Sequence, residues 1–166
     1  MKKDLGFFEA YKIYWKKTFK MKGRARRLEY WSPAIINTII AIILMVIGSY
    51  IDAANGVAID DEDSMTEMFN YIWGLINFIP LFTVTARRLQ DININGWWAL
   101  FPYLGVVAIG IILFLIGMLL NFSNFEIVIV ICIIYFITII VYFIFTLIEG
   151  TSGPNKFGED PKRHMY

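Results

Sequence analysis

The chain has 166 residues, 58% of them hydrophobic, with a mean hydropathy of +0.59 and a formal net charge of +1. Soluble domains are nearer half apolar, so the composition argues for a membrane protein. The small charge, with acids interspersed among bases, argues against a nucleic-acid-binding surface, and the single cysteine, Cys132, excludes an intramolecular disulfide.

In chain order, residues 4–22 read as an amphipathic helix. At about 100° per residue, Phe8, Tyr11, Trp15 and Phe19 share one arc, with Phe7 and Tyr14 beside it. Lys12, Lys16, Lys17, Lys20 and Glu9 fall opposite. Such a helix suits the headgroup layer of an anionic leaflet; packing on the ends of a bundle is the alternative. Gly23 breaks the helix, and an arginine-rich entry leads to Tyr30 and Trp31, whose rings set interfacial depth as Trp15, Trp97 and Trp98 do elsewhere.

Four stretches carry no charge: residues 30–51, 68–86, 92–125 and 127–148. About 20 apolar residues in a helix cross a hydrocarbon core about 30 Å thick. The third stretch is too long for one crossing, and its turn residues Asn93, Asn95, Gly96, Asn121, Ser123 and Asn124 trim it. The expected fold is all-α, a four-helix transmembrane bundle of residues 31–51, 68–86, 97–120 and 127–148 with an N-terminal amphipathic interfacial helix. The first span is read as retained rather than cleaved, since no small-residue cleavage site follows it. Pro80 is expected to kink the second span. Asn37 and Asn77 are expected to bond across helices, and Cys132 to be a small core residue of the fourth. No Asp, Glu, Lys, Arg or His lies inside a span, which argues against an ion-coupled transporter.

Charge sets the orientation. All fifteen Lys and Arg lie in residues 1–30, at Arg87 and Arg88, and in the tail at Lys156, Lys162 and Arg163. The connections at residues 52–67 and 121–126 carry seven of the fourteen acids and no base. Basic loops stay cytoplasmic, so both termini are expected in the cytoplasm and the protein in the cytoplasmic membrane. The organisation expected is an interfacial helix at 1–22, a membrane domain at 23–148 and a Gly-rich cytoplasmic tail at 149–166. The acidic run Asp60-Asp61-Glu62-Asp63 lacks the spacing of a calcium loop. Asn121-Phe122-Ser123 matches a glycosylation sequon in a turn too short to modify readily.

Three motifs fall on the basic side: Gly23-Arg24-x-Arg26-Arg27-x-Glu29-Tyr30-Trp31, then Arg87-Arg88-Leu89-Gln90-Asp91 with Asn93, Asn95, Gly96, Trp97 and Trp98, then a run from Glu149 to Pro161 punctuated by Gly150, Gly153, Asn155 and Gly158. On these residues the chain resembles the bacterial integral-membrane family known as domain of unknown function 805. That family has a Gly-Arg-x-x-Arg-x-Glu-Tyr-Trp entry, an Arg-Arg-Leu-His-Asp turn with Gly-Trp-Trp, and a Gly-x-x-Gly-x-Asn-x-Tyr-Gly-x-x-Pro tail. Here Gln90 stands for the His and Phe157 for the Tyr. The resemblance implies a membrane address and a map of motifs, and no activity.

Arg24, Arg26, Arg27, Arg87, Arg88 and Lys156, with Glu29 and Asp91 between them, are the candidate headgroup site. Arginine's planar fork suits phosphate, and bases beside a span suit anionic lipid. The competing reading is topological anchoring, with the acids pairing and positioning the arginines. Acids and arginines of different motifs are expected to meet. Lys156 lacks the flanking residues of a nucleotide loop, and neither His164 nor Cys132 has a partner at catalytic or metal spacing, so no catalytic residue, metal or cofactor is expected. The function expected is a non-enzymatic module binding anionic lipid or a membrane-protein partner, with a homo-oligomer possible. A small transporter, a lipid-handling component or an enzyme using the carboxylates are the alternatives.

Overall fold

Backbone N–H and C=O groups find no water in hydrocarbon, so an apolar run must satisfy them within its own helix. The computed structural model, which describes residues 5–58, 61, 63–120 and 124–162, follows that rule. Helix α1 spans Phe7–Lys16, α2 Arg27–Asn55, α3 Met65–Asp91, α4 Val106–Leu120 and α5 Asn124–Leu147. A 3-10 turn at Gly96–Leu100 and a π turn at Phe101–Gly105 lead into α4. Among the described residues four helical segments are long and apolar enough to cross a membrane: Arg27–Asn55, Met65–Asp91, Gly96–Leu119 and Phe125–Leu147. Among the described residues there is no β-strand. Asp60 and Glu62 of the acidic run, the 121–123 sequon, and Lys2, Lys3, Arg163 and His164 lie outside the described residues.

The spans alternate in direction. The starts of α2 and of the third span therefore lie with the ends of α3 and α5 at one end, which carries the arginines and is here the basic end. The acidic end joins α2 to α3. There Asp52 is buried and accepts from Ser64 Oγ (2.8 Å), Thr66 Oγ1 (2.7 Å), Met65 N (2.7 Å) and Thr66 N (3.1 Å). It thereby caps the first turn of α3, whose free amides and dipole favour a carboxylate. Close approach is needed beside it: a Cβ on Gly48 would stand 2.6 Å from the Thr66 Cα.

Most side chains of α4 and α5 are exposed in the isolated chain, as lipid-facing surfaces are. Cys132 is among the exposed residues, so the expectation of a core position is wrong; α5 turns that face outward. Pro80 lies inside α3 and is buried, and the Thr83 hydroxyl donates to its carbonyl at 3.0 Å.

Helix α1 is shorter than the sequence pattern implies. It stops at Lys16, so Phe19 lies beyond it and the expected aromatic arc is split. Ala10 and Tyr14 are buried, whereas Phe8 and Phe19 are 74% and 85% exposed. The buried face docks on α2 and α3, because Tyr11 and Tyr14 find hydrogen-bond partners there that lipid tails cannot offer. The Ser32 hydroxyl also donates to the Phe7 carbonyl at 2.6 Å.

Candidate functional site at the basic end

Asp91, the last residue of α3, is the hub. Its Oδ1 accepts from Arg24 Nε at 2.8 Å and its Oδ2 from Arg88 Nη1 at 2.6 Å. All three side chains are nearly devoid of solvent, and charge-assisted bonds of this length are the strong kind. The remaining donors of Arg24 close on the tail: Nη1 donates to the Gly153 carbonyl at 2.5 Å and Nη2 to that of Thr151. Arg88 donates from Nε to the Thr146 carbonyl (3.2 Å), from Nη1 also to Ala25 O (3.4 Å), and from Nη2 to Ile148 O. The last carbonyls of α5 have no partner within their own helix, so a planar cation with several donors fits that place.

The tail binds the same residue from its backbone. Thr151 donates to the Asp91 carbonyl from both N (2.9 Å) and Oγ1 (3.1 Å), and Asn155 Nδ2 donates to the Gln90 carbonyl at 2.9 Å. Only glycine fits at 150, where a Cβ would stand 2.0 Å from Asp91 Oδ2. Gln90, at the position of the family's His, accepts the Gly23 amide at 3.0 Å through Oε1. Its amide also lies against Gly96, where a Cβ would come within 2.4 Å of Nε2. An amide thus links the first motif to the start of the third span without titrating.

A second pairing surrounds Glu29. Its Oε2 lies 3.5 Å from Arg87 Nη1 and 3.4 Å from Lys17 Nζ, and its Oε1 accepts the Arg26 amide at 3.4 Å. Arg87 is 1% exposed, yet its Nε, Nη1 and Nη2 make no hydrogen bond among the described residues. Outside the buried set, Glu149 pairs with Lys162 at 2.6 Å and with Arg27 at 3.6 Å. The Lys162 hydrogen bond and charge, with Arg27 nearby, lower the pKa of the Glu149 carboxyl. Asp160 is also lowered, chiefly by the Lys162 backbone amide (2.8 Å), with the Gly153 amide (3.0 Å) adding to it. Arg26 Nη2 donates to the Pro161 carbonyl. Lys156 is exposed and stands over the Phe157 ring.

The cross-motif pairing expected from the sequence is therefore present in Arg24–Asp91, Arg87–Glu29 and Arg27–Glu149. The anchor residues divide: Trp97 and Trp98 are exposed, while Tyr30, Trp31 and Trp15 are partly buried. The Tyr142 hydroxyl donates to the Trp98 carbonyl.

Deeper in the bundle, Asn37 and Asn77 meet. Asn37 Nδ2 donates to Asn77 Oδ1 at 2.8 Å, and the same oxygen accepts the Tyr14 hydroxyl at 2.9 Å. Tyr11 donates to Asn37 Oδ1 at 3.1 Å, Trp73 Nε1 to the Asn37 carbonyl at 3.3 Å, and Asn77 Nδ2 to the Trp73 carbonyl at 3.0 Å. Burial pushes the Tyr14 phenol well above its usual range, so it stays a donor. The place of α1 in this network was not read from the sequence, where Tyr11 and Tyr14 looked like parts of an amphipathic stripe. The Asp52 clamp was also missed, although Ser64-x-x-Glu67 is a helix-start signature.

The sequence matches the family described as Protein of unknown function (DUF805) over residues 18–159. The chain belongs to that family. The matched region of this DUF805 protein takes in the arginine knot, both asparagines and the tail as far as Glu159, and begins just after α1. Two proteins of Escherichia coli K12 are similar along most of their length. Inner membrane protein YhaH is 30% identical over 143 residues, 85% of this chain and 86% of its own. Inner membrane protein YhaI is 30% identical over 140 residues, 84% of each. No solved structure matches.

Proposed function

We propose that this DUF805 protein is a non-enzymatic module of the inner membrane whose basic end, on the cytoplasmic side, binds anionic lipid headgroups through its exposed bases. What carries this reading is the division of the cations by burial. Arg24, Arg87 and Arg88 are buried, and the donors of Arg24 and Arg88 rest on protein oxygens. Lys12, Lys16, Lys20, Lys22, Arg27 and Lys156 are exposed, and Phe8 and Phe19 stand exposed among the lysines. Apolar rings beside unneutralised lysines suit a surface resting in an anionic leaflet. The buried arginines are on this reading the frame that fixes the basic end, and the lysines are its contact surface. The relatives' names support the membrane, and the one-sided distribution of bases supports the orientation.

The test is lipid selectivity of the purified protein by native mass spectrometry, with phosphatidylglycerol and phosphatidylcholine offered in equal amounts. Wild type should retain the anionic lipid preferentially, and less so in high salt. The K12Q/K16Q/K20Q/K22Q variant should approach parity. An unchanged preference in that variant would overturn the reading. Orientation is checked by a reporter fused after Lys162, where an external signal would rule out the cytoplasmic face.

A further inference from the structure

Beside the arginine knot the bundle is not filled. A cleft of about 320 Å³ opens between α2 and α3 on one side and the π turn and α5 on the other. Most of its wall is apolar, but Tyr30, Tyr103 and Tyr135 line it together with Thr85, Thr138 and Thr146. The threonine hydroxyls donate to carbonyls of their own helices at 2.7–2.8 Å, and Tyr30 and Thr85 face each other across the cleft. The hydroxyls of Tyr103 and Tyr135, 42% and 49% exposed as residues, have no hydrogen-bond partner among the described residues. Trp31, also on the wall, keeps a buried Nε1 donor without a partner among the described residues. Three donors thus stand unpaired in one cleft at membrane depth, where a bare donor is costly and no bulk water substitutes.

Depth narrows what can answer them. Thr85 lies six residues before the end of α3, about 9 Å into the span at about 1.5 Å per residue. The cleft meets the basic end at Thr146, whose carbonyl holds Arg88. Just inside the headgroups, the acceptors that a bilayer supplies are the ester carbonyls of its own lipids. The cleft lies at the small end of the usual range of ligand sites, about 300–1,000 Å³. That size fits the linkage region of an amphiphile whose chains continue into the bilayer. We infer that this cleft binds a diacyl glycerophospholipid, with Tyr103, Tyr135 and Trp31 donating to its ester carbonyls. This does not rest on the lysine surface: the lysines would select headgroup charge, the cleft the chemistry of the linkage.

A zwitterionic pair separates the two. Diacyl phosphatidylcholine and its dialkyl ether analogue share headgroup and chains and differ in the two carbonyls. Offered as an equal mixture to the delipidated protein, with retention read by native mass spectrometry, wild type should hold the ester lipid about threefold to tenfold over the ether. That is the effect of one to two hydrogen bonds of ordinary net strength. Y103F/Y135F should bring the ratio close to one, with an unchanged unfolding midpoint and similar total lipid. A wild-type ratio of one, as water or bare hydroxyls in the cleft would give, overturns the inference. So does a preference that survives the double substitution, which would place the bound lipid elsewhere on the bundle.

Discussion

At the acidic end one buried carboxylate, Asp52, accepts four hydrogen bonds, all from hydroxyls and amides of the next helix start. At the basic end another, Asp91, lies between two buried guanidinium groups whose other donors reach the Ala25 carbonyl, the end of α5 and the tail. The first is a local cap, made by residues close in sequence and balanced by a helix dipole. The second joins parts of the chain that meet only when the bundle is assembled, and it is balanced by full charges taken out of water. Neutral partners can be lost one at a time at moderate cost. A charge knot, once a member is removed, leaves an uncompensated ion behind.

That difference predicts the largest effect. Asp91→Asn should lower stability by about 3–5 kcal/mol, the usual cost of breaking a buried ion pair from one side. Asp52→Asn should cost about 1–3 kcal/mol, since it weakens hydrogen bonds without stranding a charge. Unfolding midpoints in detergent measure both, with the exposed Asp61→Asn as a control near zero. Equal losses at positions 91 and 52 would break the distinction between cap and knot.

The glycines sharpen it. Gly150→Ala drives a Cβ into Asp91, and Gly48→Ala drives one into the Thr66 backbone, so each should cost about 1–3 kcal/mol. The expected readouts differ. The tail hangs from one end of α5 and can move, so Gly150→Ala should expose the Lys156 region to trypsin ahead of any global unfolding. Gly48 lies between two packed spans, so its substitution should lower the midpoint of the whole bundle with no early tail cleavage. Early tail cleavage in both variants would mean that the two ends are not independent.

Next in size is the pair of amides between the ends. Asn77→Leu removes the acceptor shared by Asn37 and Tyr14. Hydrogen bonds between membrane helices average about 0.6 kcal/mol and reach about 1.7. The loss should fall in that range and be non-additive with Tyr14→Phe, which deletes one of the same bonds. Strict additivity would show that α1 does not share the network.

How far these features were legible follows from their range. The four spans could be read because a membrane imposes a length and a composition on each segment separately. The meeting of Asn37 with Asn77, and of acids with arginines of other motifs, could be anticipated from polar groups with few partners to choose from. The docking of α1 could be read only as the alternative to a place in the headgroup layer. Phe8, Tyr11, Trp15 and Phe19 form a plausible lipid-facing stripe, and only the third dimension shows that Ala10 and Tyr14 are the buried positions. The outward face of Cys132 was equally invisible, because a helix with apolar residues on all sides has no periodicity to mark which side is inside. Which arginines would be buried was not decided by type or spacing either, since Arg26 and Arg27 sit beside Arg24 and remain more exposed.

The smallest effect is expected beside the knot, at Arg87. Arg87 and Arg88 are adjacent, both 1% exposed, and both face a carboxylate, so the sequence treats them alike. Their bonding separates them. Arg88 donates to Asp91 and to three backbone carbonyls, so Arg88→Met leaves acceptors unpaired and Asp91 short of one cation. Among the described residues Arg87 makes no hydrogen bond and only a 3.5 Å ion pair with Glu29, which Lys17 also approaches at 3.4 Å. A buried guanidinium with unused donors keeps most of its desolvation cost. Removing one partner of a buried pair usually strands the other, but here Lys17, 3.4 Å from Glu29, remains to neutralise it. Arg87→Met should therefore change the unfolding midpoint little, with a shift of either sign within about 1 kcal/mol. Arg88→Met should approach the loss at Asp91. If Arg87→Met proves as damaging as Arg88→Met, the Glu29 pair is as structural as the Asp91 pair, and the basic end holds two equal knots.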